Sequence, residues 1–300
     1  MITVQEAFDR FLYDKSSYCA AATLKKYTGD IKLFFSFLER RTGKAVTVLA
    51  FPEWNIYQEY IIYLRSINMR TVTIHSYCRS IKSFLRWAYE CDYCPDYLKG
   101  VKLPKNDAMI KVPLYADEVQ RIDACMDMNT LLGRRNYCIV HLMLDCGLRT
   151  QEVVHLRCED VNAKRNLMQI KDSKGNKSRM TLIPDFLLDA LAAYSSGTGI
   201  VTGFLFRDAR TGEPITGNAV KMLFQNLKTV AAVPRLHAHL LRHTFATSYL
   251  IGGGNLEFLR VFMGHSDYAV TQKYSQLAAE MKMLGADIYR LDSIFFTRGY

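Results

Sequence analysis

Apolar side chains recur three and four positions apart over most of this chain, the spacing of one face of an α-helix, and this restricts the fold to packed helices. The clearest stretch is 22–38, where Leu24, Tyr27, Ile31, Phe34, Phe35 and Leu38 carry the pattern. Similar spacing predicts helices over 52–64 and 71–89, the latter turning Ile74, Tyr77, Ile81, Phe84, Leu85 and Ala88 inward. The periodicity stops over 99–113, which holds one Gly, two Pro and four Lys. A linker is therefore expected over 100–113, between a helical domain at 1–99 and a second domain at 114–300.

Beyond the linker the pattern is mixed. Helices are expected over 116–126 and 134–145, with another after Thr150, which stands where it can cap. Short strands over 167–171 and 179–183 flank a turn containing Gly175 and Asn176, which predicts a hairpin. Further helices are expected over 185–194, 218–230, 240–250, 256–262, 267–275 and 279–295. The expected fold is mainly α, a helical N-terminal domain plus a mixed α+β domain with a small antiparallel sheet.

The composition suits a globular chain, with 49% hydrophobic and 23% charged residues among 300. No apolar run approaches the roughly 18 residues of a membrane span. The early charges Glu6, Asp9, Arg10, Asp14 and Lys15 do not fit a signal peptide, so a cytoplasmic protein is expected. Lys and Arg number 39 against 29 Asp and Glu, a net charge of +10 that favours a polyanionic partner such as nucleic acid. The excess is +5 up to Asp107 and +5 beyond it, so neither domain is merely a basic tail. Arg70, Arg79, Lys82 and Arg86, together with Lys102 and Lys105 of the linker, are candidate DNA contacts; a solvated face is the competing reading of the helical four.

Two patterns imitate metal sites. The segment between His75-x2-Cys78 and Cys91-x2-Cys94 is one periodic helix, so the pairs stand roughly 20 Å apart at 1.5 Å per residue, too far to share an ion. His239-x3-His243 is surrounded by Arg235, His237 and Arg242, with no carboxylate nearby in sequence to offset a cation. No metal and no cofactor is expected, and the eight cysteines read as reduced core residues. The stretch 173–178 lacks the glycine spacing of a phosphate-binding loop.

What remains is a set of basic residues in short, turn-bounded segments. Arg149 stands at the mouth of a helix, where free backbone N–H groups favour an anion. His239 and Arg242, three apart on a predicted helix, share a face and can reach one anion together. Arg242 offers paired donors that match phosphate oxygens, and His239 can exchange a proton near pH 7. His265 follows a helix stop at Met263-Gly264, and Tyr274 comes nine residues later.

Four segments together resemble the tyrosine recombinases, the group of phage and transposon integrases and Xer-type resolvases. They are Cys146-Gly147-Leu148-Arg149-Thr150-Gln151-Glu152, Lys174-Gly175-Asn176-Lys177, His239 through Thr247, and Met263-Gly264-His265-Ser266-Asp267 followed by Tyr274. Their order and spacing match, and residues 1–99 resemble that family's core-binding domain. The resemblance implies a site-specific recombinase that breaks and rejoins duplex DNA through a 3′-phosphotyrosyl intermediate, without metal or ATP. It implies that Arg149 and Arg242 hold the scissile phosphate, Tyr274 attacks it, Lys174 protonates the leaving 5′ oxygen, and His239 and His265 assist. It further implies inverted-repeat core sites, a tetramer on paired DNA, and a C-terminal helix docked into a neighbouring protomer; core packing within its own chain is the competing reading of the apolar stripe Met281, Leu284, Ile288, Leu291, Ile294 and Phe295. Gln151, and Ser173 before the lysine, depart from the commoner family residues, and Lys171 or Lys177 is the fallback for Lys174. A type IB topoisomerase-like relaxing activity and a catalytically silent DNA-binding protein are the alternatives.

Overall fold

A computed structural model of the chain describes residues 2–43, 55–104, 112–171, 178–208, 210–264 and 268–297. Two compact units divide it, Met1–Met109 and Ile110–Tyr300.

Among the described residues the first unit holds four helices: α1 (Val4–Ser16), α2 (Ala21–Thr42), α3 (Ile56–Ser66) and α4 (Thr71–Glu90). Sequence periodicity left α1 unassigned, yet its start is written locally. The Thr3 hydroxyl accepts from the Glu6 N–H at 3.2 Å, and the Glu6 carboxylate accepts from the Thr3 N–H at 3.0 Å, a reciprocal cap. The inward stripes meet in an aromatic core in which Phe11 and Phe84 pack edge to face at 5.4 Å and Phe34 and Tyr60 at 5.0 Å. Such pairs contribute about 0.5–1.5 kcal/mol each beyond the burial of their area.

The second unit begins with α5 (Ala116–Ala124), α6 (Leu131–Leu144) and α7 (Thr150–His155). A sheet follows, β1 (Val161–Asn162), β2 (Leu167–Ile170) and β3 (Arg179–Leu182), all antiparallel in that order. The pairing of β2 with β3 is the expected hairpin; β1, two residues long, gave no periodic signal. The fold continues with α8 (Asp185–Thr198), α9 (Gly217–Val230), α10 (Ala238–Ile251), α11 (Leu256–Met263), α12 (Tyr268–Met283) and α13 (Ile294–Thr297). Residues 138–144 of α6 are buried on every side, as expected of a helix packed centrally between α8 and α10.

The C-terminal segment departs from expectation. In place of separate helices over 267–275 and 279–295, α12 runs unbroken to Met283, because Gln276, Leu277 and Ala278 offer nothing to stop it. Gly285, at φ +60°, then ends it. Leu284 is 75% exposed, while Ile288, Leu291 and Phe295 are buried without continuing the helix. Ile288 bridges to Tyr115, the Tyr289 N–H donates to the Leu114 carbonyl at 3.1 Å, and the Ala116 N–H donates to that of Asp287 at 3.0 Å. Leu291 and Phe295 then pack against Phe245, Tyr249 and Phe262 of their own unit. The expected long docking helix is thus an extended segment closed by the single turn of α13.

Candidate active site

The turn from α6 to α7 positions the first basic residue. Gly147 has φ +68°, and a Cβ there would stand 2.6 Å from Cδ1 of Phe245, so both the backbone and the close approach of α10 require glycine. Arg149, and not Thr150, is the cap of α7. Its backbone N–H donates to Glu152 Oε2 at 2.7 Å, and its Nη1 donates to Oε1 at 2.8 Å.

Arg242 lies on α10 and is 6% exposed. Its two terminal nitrogens donate to the carbonyls of Gly147 and Met263. The Met263 carbonyl also accepts from Arg149 Nη2 at 3.1 Å. One backbone oxygen at the end of α11 therefore holds both guanidiniums together. Burial and the neighbouring Arg149 charge bring the Arg242 pKa down from 12.5 to about 9, against the pull of Glu152.

Glu152, which the sequence did not single out, organises the cluster. It is 7% exposed and pairs with Arg149, with Arg179 and, at 3.8 Å, with Arg242. Burial works to raise its pKa, but the hydrogen bonds and charge of Arg179, the amide of Arg149 and the charge of Arg242 bring it down to about 2. Sequence reasoning missed Arg179. Its signal is the strand register: Arg179 stands opposite the buried Ile170, so it shares that residue's inward face.

Tyr274, on α12, is half-buried, with its ring 5.2 Å from that of His243. Burial raises its pKa above 10, while the charges of Arg242 and Arg149 pull it down. The phenol thus lies within the field of both arginines, brought there from 32 and 125 positions away in sequence. His243, which the motif placed beside Arg242, is the ring that packs on the phenol.

His239 is exposed at the start of α10 and borders a cavity of about 370 Å³ lined also by Thr150, Lys221, Lys228 and His237. Lys174 and His265 lie outside the described residues, as does Lys177; Lys171 pairs with Asp160. In the first unit Arg70, Arg79, Lys82, Arg86 and Lys102 are all exposed, and Lys105 lies outside the described residues. Arg79, Lys82 and Arg86 share one stripe of α4, whereas Arg70, nine residues before Arg79, stands about 180° around the helix axis. Among the described residues no group of three His, Cys, Asp or Glu could hold a metal ion, and no helix is long and apolar enough to cross a membrane.

Residues 113–281 match the Phage integrase family. The tyrosine recombinase XerC of Bacillus pumilus is 28% identical over 284 residues, covering 91% of each chain. The tyrosine recombinase XerD of Staphylococcus aureus is 27% identical over 286 residues, 93% of this chain and 95% of its own. Among solved structures, the Tn1549 transposon integrase in complex with a circular intermediate DNA superposes with a TM-score of 0.73 at 17% identity, over 95% of this chain and 100% of that one. A lambda integrase dimer bound to a core site gives 0.72 at 15% identity, over 91% and 95%.

Proposed function

This chain belongs to the phage integrase family and is a tyrosine recombinase, and on that premise we propose that Tyr274 is its nucleophile and that Arg149 and Arg242 are the cradle of the scissile phosphate. The reaction is site-specific DNA recombination. The phenol oxygen of Tyr274 attacks phosphorus, the bond to the 5′ oxygen breaks, and the 3′ phosphate stays on the enzyme as a phosphotyrosine. Attack by another strand's 5′ hydroxyl reverses the step, so the energy of the phosphodiester is kept and no ATP is consumed.

One observation carries this reading: two guanidiniums share the Met263 carbonyl, and both act on one half-buried phenol. Negative charge gathers on the phosphoryl oxygens as transfer proceeds, and fixed donors aimed there lower the barrier without reorganising. The phenol is protonated at neutral pH and must lose its proton as it attacks. His239, at the mouth of the adjoining cavity, is the candidate acceptor, with His265 assisting. Lys174, in the segment joining β2 to β3, is the candidate donor to the departing 5′ oxygen.

The exposed cations of α4 and of the cavity wall suit DNA backbone contact, which supports duplex DNA as the substrate, and its core sites are proposed to be inverted repeats. Pairing of two such sites requires a tetramer, to which the C-terminal segment is proposed to contribute contacts, and the setting is the cytoplasm with its nucleoid. A chain ending at Ala278 that still assembled paired sites and recombined normally would remove that role.

The test is a suicide duplex nicked beside the cleavage point. The wild-type chain is expected to form a covalent adduct, in EDTA as well as without it, and Tyr274→Phe to form none. An adduct that persists in Tyr274→Phe contradicts the assignment.

A further inference from the structure

Arg179 is committed entirely to the interior of the site. Its side chain is 7% exposed, Nη1 and Nη2 donate to the two oxygens of Glu152 at 2.7 and 2.8 Å, and Nε donates to the Phe262 carbonyl at 2.6 Å. A guanidinium set this way makes the paired contact that fits a carboxylate and that lysine cannot reproduce. Nothing in the proposed reaction uses it, yet it touches the same carboxylate as both phosphate-holding arginines.

From this geometry we infer that Arg179 is a positioning residue for strand cleavage: it occupies the Glu152 carboxylate so that Arg149 and Arg242 keep their charge for the phosphate. The inference rests on the roles proposed for Arg149, Arg242 and Tyr274. Three guanidiniums meet this one carboxylate, which offsets one of their charges. A phosphodiester enters with one negative charge and gathers a second as the nucleophile adds, so two is the charge the transition state calls for. Without Arg179, Glu152 would satisfy its buried charge by holding Arg149 more tightly, in competition with the DNA. The same side chain also ties the strand leaving the Lys174 segment to the helix end before His265. Arg179 is five residues after Lys174, and Phe262 is three before His265. A Cβ at Gly264 would lie 3.2 Å from Arg179 Cδ, so the turn is closed against this arginine.

The experiment uses the full chain with the suicide duplex in single turnover, measuring the rate constant of adduct formation, the adduct amplitude and duplex binding. Arg179→Gln is expected to lower the rate constant by about tenfold or more while amplitude and binding stay within about threefold, because the affinity is shared among many phosphate contacts. Arg179→Gln combined with Glu152→Gln restores the net two charges and is expected to cleave faster than Arg179→Gln alone. A purely structural role would lower amplitude and leave the rate constant, and would give no recovery in the double variant; either result overturns the inference. If Arg179→Gln does not fold, Arg179→Lys carries the test. It keeps a charge but serves one carboxylate oxygen at a time, so its rate constant is expected to fall several-fold at unchanged amplitude, and a wild-type rate constant overturns the inference. A wild-type chain that forms no adduct overturns the roles of Tyr274, Arg149 and Arg242 and the inference with them. A wild-type adduct matched in rate by Arg179→Gln overturns the inference alone.

Discussion

Arg242 stands where two demands conflict. In the role proposed for it, its guanidinium must remain charged to hold a phosphate, yet burial, and the Arg149 charge beside it, lower its pKa. Its charge is complete at neutral pH, as a guanidinium's is. Changing Arg149 or Arg242 to Ala is expected to slow adduct formation by about 10²–10³-fold or more with a small loss of DNA affinity; equal loss of both would speak against a role in chemistry. Arg149, Arg242 and Tyr274 are singled out by the segments that resemble the tyrosine recombinases. Arg179 was not, since its inward direction depends on pairing with Ile170, which is settled only when the strands meet.

Among the elements, α6 carries a buried charged pair that binds it to the C-terminal segment. His141 Nδ1 lies 2.7 Å from Asp145, and its Nε2 lies 3.0 Å from Asp123; Tyr289 donates to the other oxygen of Asp145 at 2.9 Å. Burial pushes the imidazole down, but hydrogen bonds to Asp123 and Asp145 and their charges raise it from 6.5 to about 9. The folded pKa lies above the unfolded one, so this stabilisation is complete below pH 6.5 and lost as pH rises through 9. By linkage it is of order 3 kcal/mol. Denaturant unfolding is expected to show that slope in the wild-type chain and to lose it in His141→Gln; equal slopes would contradict the pairing. At this scale the long periodic helices were legible and their ends were not. The apolar stripe from Met281 to Phe295 keeps helical spacing, but Gly285 breaks the helix and the later apolar residues are buried through tertiary contacts.

For the whole molecule, the C-terminal segment is part of the core of the second unit. Phe295→Ala is expected to destabilise that unit by about 3–5 kcal/mol, whereas Leu284→Ala, at an exposed position, is expected to change stability by under about 0.5 kcal/mol. Equal effects in thermal or denaturant melts would favour a continuous helical stripe over the observed turn. Helical periodicity lapses over 99–113, where a linker is expected, while the convergence of Arg149, Arg242 and Tyr274 required the fold. The most direct measurement of that convergence is peptide mapping of the covalent adduct by mass spectrometry after nuclease trimming. A nucleotide 3′-phosphate on the peptide containing Tyr274 is the expected result. Attachment to any other residue, or through a 5′ phosphate, would contradict it.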